Sequence, residues 1–122
     1  MQNKPTILYV DDEKANVLLF KVSFRDKFNL LSAKSGAQAL EMLKEHPEVT
    51  TIVSDLRMPG MTGLELLQKV KEEYSEMNFF ILSGIAVSDE ISDLMNKKIL
   101  TGYFCKPISF AEMKSKLGAI YS

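Results

Sequence analysis

The chain lacks a second cysteine. Cys105 is the one cysteine in 122 residues, so no internal disulfide can form, and the expected compartment is a reducing one, the cytoplasm. No apolar run approaches the roughly 20 residues that a membrane helix needs. The start, Met1-Gln2-Asn3-Lys4-Pro5-Thr6, carries no hydrophobic stretch of a secretory leader. Charge of one sign is scarce as well: 15 basic residues face 16 acidic ones, for a formal net charge of -1. Direct nucleic-acid binding needs a basic surface to replace phosphate counterions, so that class is set aside. Neither Gly-x-Gly-x-x-Gly nor the P-loop Gly-Lys-Ser/Thr occurs, which speaks against a nucleotide-binding module. Low-complexity segments, internal linkers and solenoid-spaced repeats are missing too. What remains is ordinary for a globular chain, 46% hydrophobic and 25% charged, and long enough for one domain with a core of its own. The expectation is a single domain over residues 1–122, with no output domain following it.

The apolar residues alternate between two patterns. Ile7-Leu8-Tyr9-Val10 is a short uninterrupted apolar run, as in a strand covered on both faces, and it ends at Asp11-Asp12-Glu13. Val17 to Phe20, Val22 and Phe24 spread over a broad helical stripe that closes near Asp26-Lys27. Residues 28–33 predict a second strand, 50–54 a third, 78–82 a fourth ending at Ser83-Gly84, and 101–105 a fifth ending at Lys106-Pro107. Helices fall between them. Ser35-x-x-Gln38, Thr62-x-x-Glu65 and Ser109-x-x-Glu112 each have the form of a capping box. The helix after Ser35 carries Ala39, Leu40 and Leu43 inward and stops before Pro47; the one after Thr62 runs to about Tyr74. A weaker helix starts near Ser88 with Asp89 and Glu90 in its first turn and Lys97-Lys98 in its last. The final helix turns Met113, Leu117 and Ile120 inward. Five short strands with helical returns imply parallel pairing and right-handed crossovers, a doubly wound sheet with helices on both faces.

In such a sheet the strand C-termini share one edge, where ligands bind. The polar residues that break the apolar pattern fall at those ends: Asp11, Asp12, Asp55, Ser83 and Lys106. Three carboxylates held together repel one another until a proton or a cation intervenes. A hard divalent ion with few protein ligands and open water positions suits them, which favours Mg2+ over a Ca2+ cage. Lys106 brings a mobile positive charge and Ser83 a small donor for phosphoryl oxygens. Asp55 can attack phosphorus and form an acyl phosphate. Positioning and charge neutralisation are most of what phosphoryl transfer requires.

Taken singly, each residue has a plainer explanation. Asp-Asp can open a helix, Asp55 can form a turn beside Pro59 and Gly60, Ser83-Gly84 can be a loop, and Lys106 a surface charge. Their joint placement at strand ends of one sheet is what argues for chemistry.

The pieces Ile7-Leu8-Tyr9-Val10-Asp11-Asp12-Glu13, Asp55-Leu56-Arg57-Met58-Pro59-Gly60-Met61-Thr62-Gly63, Leu82-Ser83-Gly84 and Tyr103-Phe104-Cys105-Lys106-Pro107 together resemble a bacterial response-regulator receiver domain of two-component signalling, the CheY-like superfamily, over nearly the whole chain. The resemblance implies a flavodoxin-like sheet of order 2-1-3-4-5 with five helices. It implies that Asp55 is the phosphoacceptor, and that Asp11, Asp12 and the main-chain oxygen of Arg57 hold Mg2+, with Asp12 in direct contact and Asp11 acting largely through water. Lys106 corresponds to the lysine that pairs with the phosphoryl group, ahead of a cis bond to Pro107. Ser83 and Tyr103 match the switch pair, in which the hydroxyl moves to the phosphate and the ring turns inward behind it. Arg57 and Ile85 fall where the family tunes phosphate lifetime. The implied partners are a histidine kinase or histidine phosphotransfer protein and a downstream effector, with no membrane and no nucleic acid contacted directly. A homodimer linked to phosphorylation would use the last helix, where Phe110, Met113 and Tyr121 are expected partly exposed.

The chain departs from the family in one place. Receivers often have Gly-Ala ahead of the last strand, where Ile99-Leu100 stand here, and Asn96 is the nearby residue suited to a left-handed cap. The fourth helix is therefore expected to end early, near Asn96. His46, ahead of Pro47, is expected to cap a helix or face solvent, Cys105 to be a buried inert thiol, and the seven methionines mostly to fill the core. Two other functions stay in view. One is a turnover phosphatase, whose Asp-x-Asp motif the chain lacks after its first strand; the other is a receiver-like scaffold that is never phosphorylated. The reading that unites the residues is a signalling switch and not a turnover enzyme.

Overall fold

The computed structural model describes residues 4–107 and 109–121. Five strands and five helices alternate: β1 (Thr6–Val10), α1 (Lys14–Phe24), β2 (Asn29–Ala33), α2 (Gly36–Glu45), β3 (Val49–Asp55), α3 (Gly63–Glu73), β4 (Asn78–Ser83), α4 (Asp89–Asn96), β5 (Gly102–Cys105) and α5 (Phe110–Ala119). All pairings are parallel and the order is β2-β1-β3-β4-β5, as expected for the flavodoxin-like arrangement.

Strand alternation divides the apolar residues between two layers. Leu8, Val10, Ile52, Phe79 and Ile81 pack with Leu43, Leu66, Leu67, Val70 and Ile91 of α2, α3 and α4. Ile7, Tyr9, Val53, Phe80, Leu82 and Phe104 pack with Phe20 and Phe24 of α1 and Met113 and Leu117 of α5. Rings run through the second layer: Tyr9 stacks on Phe20, Phe20 meets Phe24 at a tilt of 50°, and Phe24 meets both Phe28 and Phe110. Each such pair contributes about 0.5–1.5 kcal/mol beyond its buried area.

The helix starts follow the expected caps, with one refinement. Ser35, Thr62, Ser88 and Ser109 each accept a main-chain N–H three residues on. Only Thr62 completes the reciprocal box, with Glu65 accepting from the Thr62 N–H at 2.9 Å. Gln38 instead accepts from Lys34 N, and Glu112 pairs with Lys116. His46 is the C-cap of α2, as expected.

Three local expectations need correction. The broad stripe of α1 is two faces: Phe20 and Phe24 are buried with Val17 against them, whereas Leu18, Leu19 and Val22 are exposed, since 100° per residue carries them round the helix. Met113 is fully buried, as its inward place on α5 beside Leu117 requires, so the partial exposure expected of the last helix holds for Phe110 and Tyr121 and not for Met113. Cys105 is exposed: it ends β5, the edge strand, where the covering layer has run out.

Helix α4 does end at Asn96, but the left-handed residue is Lys98, at φ 61°. Lys98 N–H bonds Met95 O and Ile99 N–H bonds Leu94 O, which is the Schellman pattern with lysine at the position that favours glycine. Lys97 lies outside the last turn and pairs with Asp93 at 2.9 Å. Lys98→Gly is expected to stabilise the fold by roughly 0.5–1 kcal/mol, since it relieves a left-handed Cβ while keeping both cap bonds. A urea midpoint that stays level or falls would contradict this.

Candidate functional site

Main-chain bonds knit the strand ends into one rim. Asp11 N–H donates to Ala33 O at 3.1 Å, Leu56 N–H to Leu82 O at 2.9 Å, and Lys106 N–H to Ser83 O at 2.8 Å. Asp55 and Ser83 thus end neighbouring strands, and Lys106 follows the strand beside Ser83. A carboxylate oxygen from each of Asp11, Asp12 and Asp55 lies within 4.8 Å of the others. Lys106 Nζ reaches Asp55 Oδ1 at 3.1 Å, and the Lys106–Pro107 bond is cis.

Burial and charge pull against each other here. Asp11 is 1% and Asp55 6% exposed, whereas Asp12 is open to solvent. Burial raises the Asp55 carboxyl above its ordinary range, and the negative charge of Asp11 adds to this; the hydrogen bond and charge of Lys106 and the Leu56 N–H oppose it without winning. Both protein donors to Asp55, Leu56 N–H at 3.0 Å and the Lys106 ammonium, meet on Oδ1. Among the described residues none donates to Oδ2, which stays open for a reacting atom or a cation. Three oxygen donors carrying excess negative charge beside one ammonium suit a hard divalent cation.

Ser83 is buried, and its Oγ accepts from Ile85 N–H at 3.2 Å, which leaves its own proton free to donate. The Tyr103 ring is buried against the α3 and α4 layer, and its hydroxyl donates to Ile85 O. Ser83 and Tyr103 therefore hold opposite ends of the same residue. Arg57 is exposed just beyond β3. A shallow hollow of about 590 Å³ at the opposite sheet edge, between Val49 and Asn78, brings no strand-end carboxylates together.

Tyr9 and Asn16 were not picked out by the sequence pattern. Tyr9 OH donates to Asp11 Oδ2 at 3.0 Å and Asn16 Nδ2 to the same oxygen at 3.2 Å, while Glu13 N–H donates to Oδ1 at 3.0 Å. Burial, followed by the charge of Asp11, raises the Tyr9 phenol, which keeps it a donor. The one signal was a hydroxyl-bearing residue in an aliphatic strand, two positions before Asp11 and so on its side of the sheet.

Comparisons with known proteins bear on the family and the fold. The chain matches the family profile described as response regulator receiver domain over residues 7–118. Hydrogenase transcriptional regulatory protein HoxA of Cupriavidus necator is 33% identical over 102 residues, which are 84% of this chain and 21% of HoxA. This chain thus spans about a fifth of the length of that relative. Sporulation initiation phosphotransferase F of Bacillus subtilis is 30% identical over 110 residues, 88% of this chain and 86% of the relative. The crystal structure of chemotaxis protein CheY4 of Vibrio cholerae superposes with a TM-score of 0.86 over 97% of this chain and 99% of that one, at 23% identity, a likeness of fold.

Proposed function

This chain belongs to the response regulator receiver domain family, and on that premise we propose that it accepts a phosphoryl group on Asp55 from a phosphohistidine of a kinase or phosphotransfer protein and signals the change to a downstream effector. The observation that carries the proposal is the convergence of Asp11, Asp12, Asp55 and Lys106 on one rim, with Oδ2 of Asp55 open. Asp11, Asp12 and Asp55, with the Arg57 main-chain oxygen, would hold Mg2+, which when bound offsets the negative charge of the phosphoryl oxygens.

In the transfer, Asp55 Oδ2 forms a bond to phosphorus as the N–P bond of the phosphohistidine breaks; the N–P electron pair stays on the imidazole nitrogen, which takes up a proton. Lys106 is within reach of the carboxylate now and can follow a phosphoryl oxygen afterwards. Ser83 has its proton to give. If its hydroxyl moves to the phosphate, the pull on Ile85 N–H is felt by Tyr103 through Ile85 O, so the phosphoryl charge biases an element at the outer face. The exposed Leu18, Leu19 and Val22 lie on the helix that follows Asp11 and Asp12, and a groove of about 190 Å³ runs from those acids past Lys14, Leu18 and Lys21. This surface suits a partner that must bring a histidine to Asp55. Among the described residues no helix is long and apolar enough to cross a membrane.

The test is labelling with a small phosphodonor such as acetyl phosphate. Labelling should be confined to Asp55 and fall at least tenfold, about 1.4 kcal/mol in rate, when a chelator removes Mg2+. Labelling indifferent to the chelator would sink the proposal.

A further inference from the structure

Asp11 is buried, yet its carboxylate is met by three protein donors, Tyr9 OH, Asn16 Nδ2 and Glu13 N–H. A carboxylate offers about four lone-pair positions, so these bonds leave roughly one for anything else. Two of the three donors are side chains and both meet Oδ2. Their own supports are fixed. The Tyr9 ring stacks on Phe20 with centroids 4.3 Å apart and planes 16° from parallel, and it is 1% exposed. Asn16 and Phe20 stand four residues apart on α1, so one face of that helix supplies both the amide on Asp11 and the ring that seats Tyr9. Packing alone does not call for a phenol in this layer. Phenylalanine would fill the same volume, and a hydroxyl taken into an apolar core is costly unless bonded. Its bond to Asp11 accounts for it.

We propose that Tyr9 and Asn16 are positioning residues for a divalent cation, fixing the plane of Asp11 so that its one remaining lone pair is presented to the hollow shared with Asp12 and Asp55. The inference rests on the reading of that hollow as a Mg2+ site. Because Oδ2 is occupied twice, Asp11 gives a single contact, direct or through a water, and cannot wrap the ion with both oxygens. Asp12, exposed and without such donors among the described residues, adapts to the ion instead. Losing either side-chain donor frees Asp11 to rotate and weakens cation binding before any phosphoryl group arrives.

The experiment is a Mg2+ titration of the unphosphorylated protein, followed by amide chemical shifts and by calorimetry. Tyr9→Phe keeps the stacked ring and removes only the hydroxyl; Asn16→Ala keeps the helix. Each is expected to weaken Mg2+ binding about tenfold. Phe28→Leu disturbs the same run of rings without a bond to Asp11, and is expected to lower stability while leaving Mg2+ affinity within about twofold of wild type. Tyr9→Phe with wild-type or tighter affinity would overturn the inference, as would a Phe28→Leu loss of affinity equal to that of Tyr9→Phe. If Tyr9→Phe fails to fold, Asn16→Ala decides by the same criterion. Wild-type protein that shows no saturable Mg2+ binding would overturn the metal reading itself, an outcome distinct from a variant that binds as the wild type does.

Discussion

Asp55→Asn should abolish acyl phosphate formation and at the same time make the metal-free protein harder to unfold. The first effect is chemical: an amide oxygen cannot take the place of the carboxylate nucleophile, and no other carboxylate in the rim sits against Lys106 at 3.1 Å. The second follows from the electrostatics of the rim. The folded protein holds the Asp55 carboxyl above its ordinary value of 3.8, chiefly through burial. A group whose folded value is raised binds its proton more readily in the folded state, so its ionised form costs stability above that raised value. The cost fades as pH falls through the window between the folded and unfolded values and is gone below the unfolded one. Asparagine removes the cost at neutral pH. It also removes the ion pair, but the Lys106 side chain is 30% exposed and water can take over its solvation. The variant should therefore melt higher than wild type at neutral pH without Mg2+, by a margin that shrinks as pH is lowered toward 4. Added Mg2+ should raise the melting temperature of the wild type and leave the variant unmoved. A variant that melts lower at neutral pH would mean that Lys106 more than offsets burial.

Gly63→Ala should be the most damaging small substitution in the fold. Gly63 opens α3, and its N–H donates to Leu56 O at 2.8 Å, so the helix start is pressed against the end of β3. A methyl group there would lie 2.5 Å from the Asp55 main-chain oxygen, 3.0 Å from Ile81 Cδ1 and 3.1 Å from Leu56 Cα. The first and last of these belong to the backbone and cannot rotate away. Relief needs α3 and β3 to separate, at a cost of about 1–3 kcal/mol typical of overpacking. Because the displaced atoms carry Asp55, labelling should also slow; a misplacement of about 1 Å can cost on the order of 100-fold. Gly118→Ala is the control. Among the described residues nothing beyond the helix's own nearby backbone and the two chain neighbours lies within 4 Å of a Cβ there, and alanine is the better helix former, so stability should rise by up to about 1 kcal/mol. Equal urea midpoints for Gly63→Ala and wild type would show that the helix start yields without strain.

Much of the fold and of the rim is legible in the linear order of residues. Strands and helices alternate with different apolar periods, and the residues that interrupt the strands, Asp11, Asp12, Asp55, Ser83 and Lys106, end up together because parallel strands share one edge. The caps at Ser35, Thr62, Ser88 and Ser109 and the early end of α4 are local as well, set by residues three or four apart. A period shows which side of an element a residue occupies. It does not show what lies across from that side.

Only the assembled fold decided the rest. Cys105 alternates with Phe104 as a core residue would, yet stands exposed because β5 is the edge strand. Leu18 and Val22 look like core until Phe20 and Phe24 take the inward face. Lys98, and not Asn96, adopts the left-handed turn, because the cap bonds from Lys98 to Met95 and from Ile99 to Leu94 fix where the chain must reverse. The choice of Oδ1 for Lys106, the closeness of Gly63 to Asp55, and the grip of Tyr9 and Asn16 on Asp11 all depend on distances between segments that close only when the sheet and its two layers pack. Periodicity is set by neighbours along the chain, and so the sequence alone determined the elements and the rim they share. Contact between remote segments is set by packing, and so the tertiary structure decided which atoms in that rim are held, which are open and which are covered.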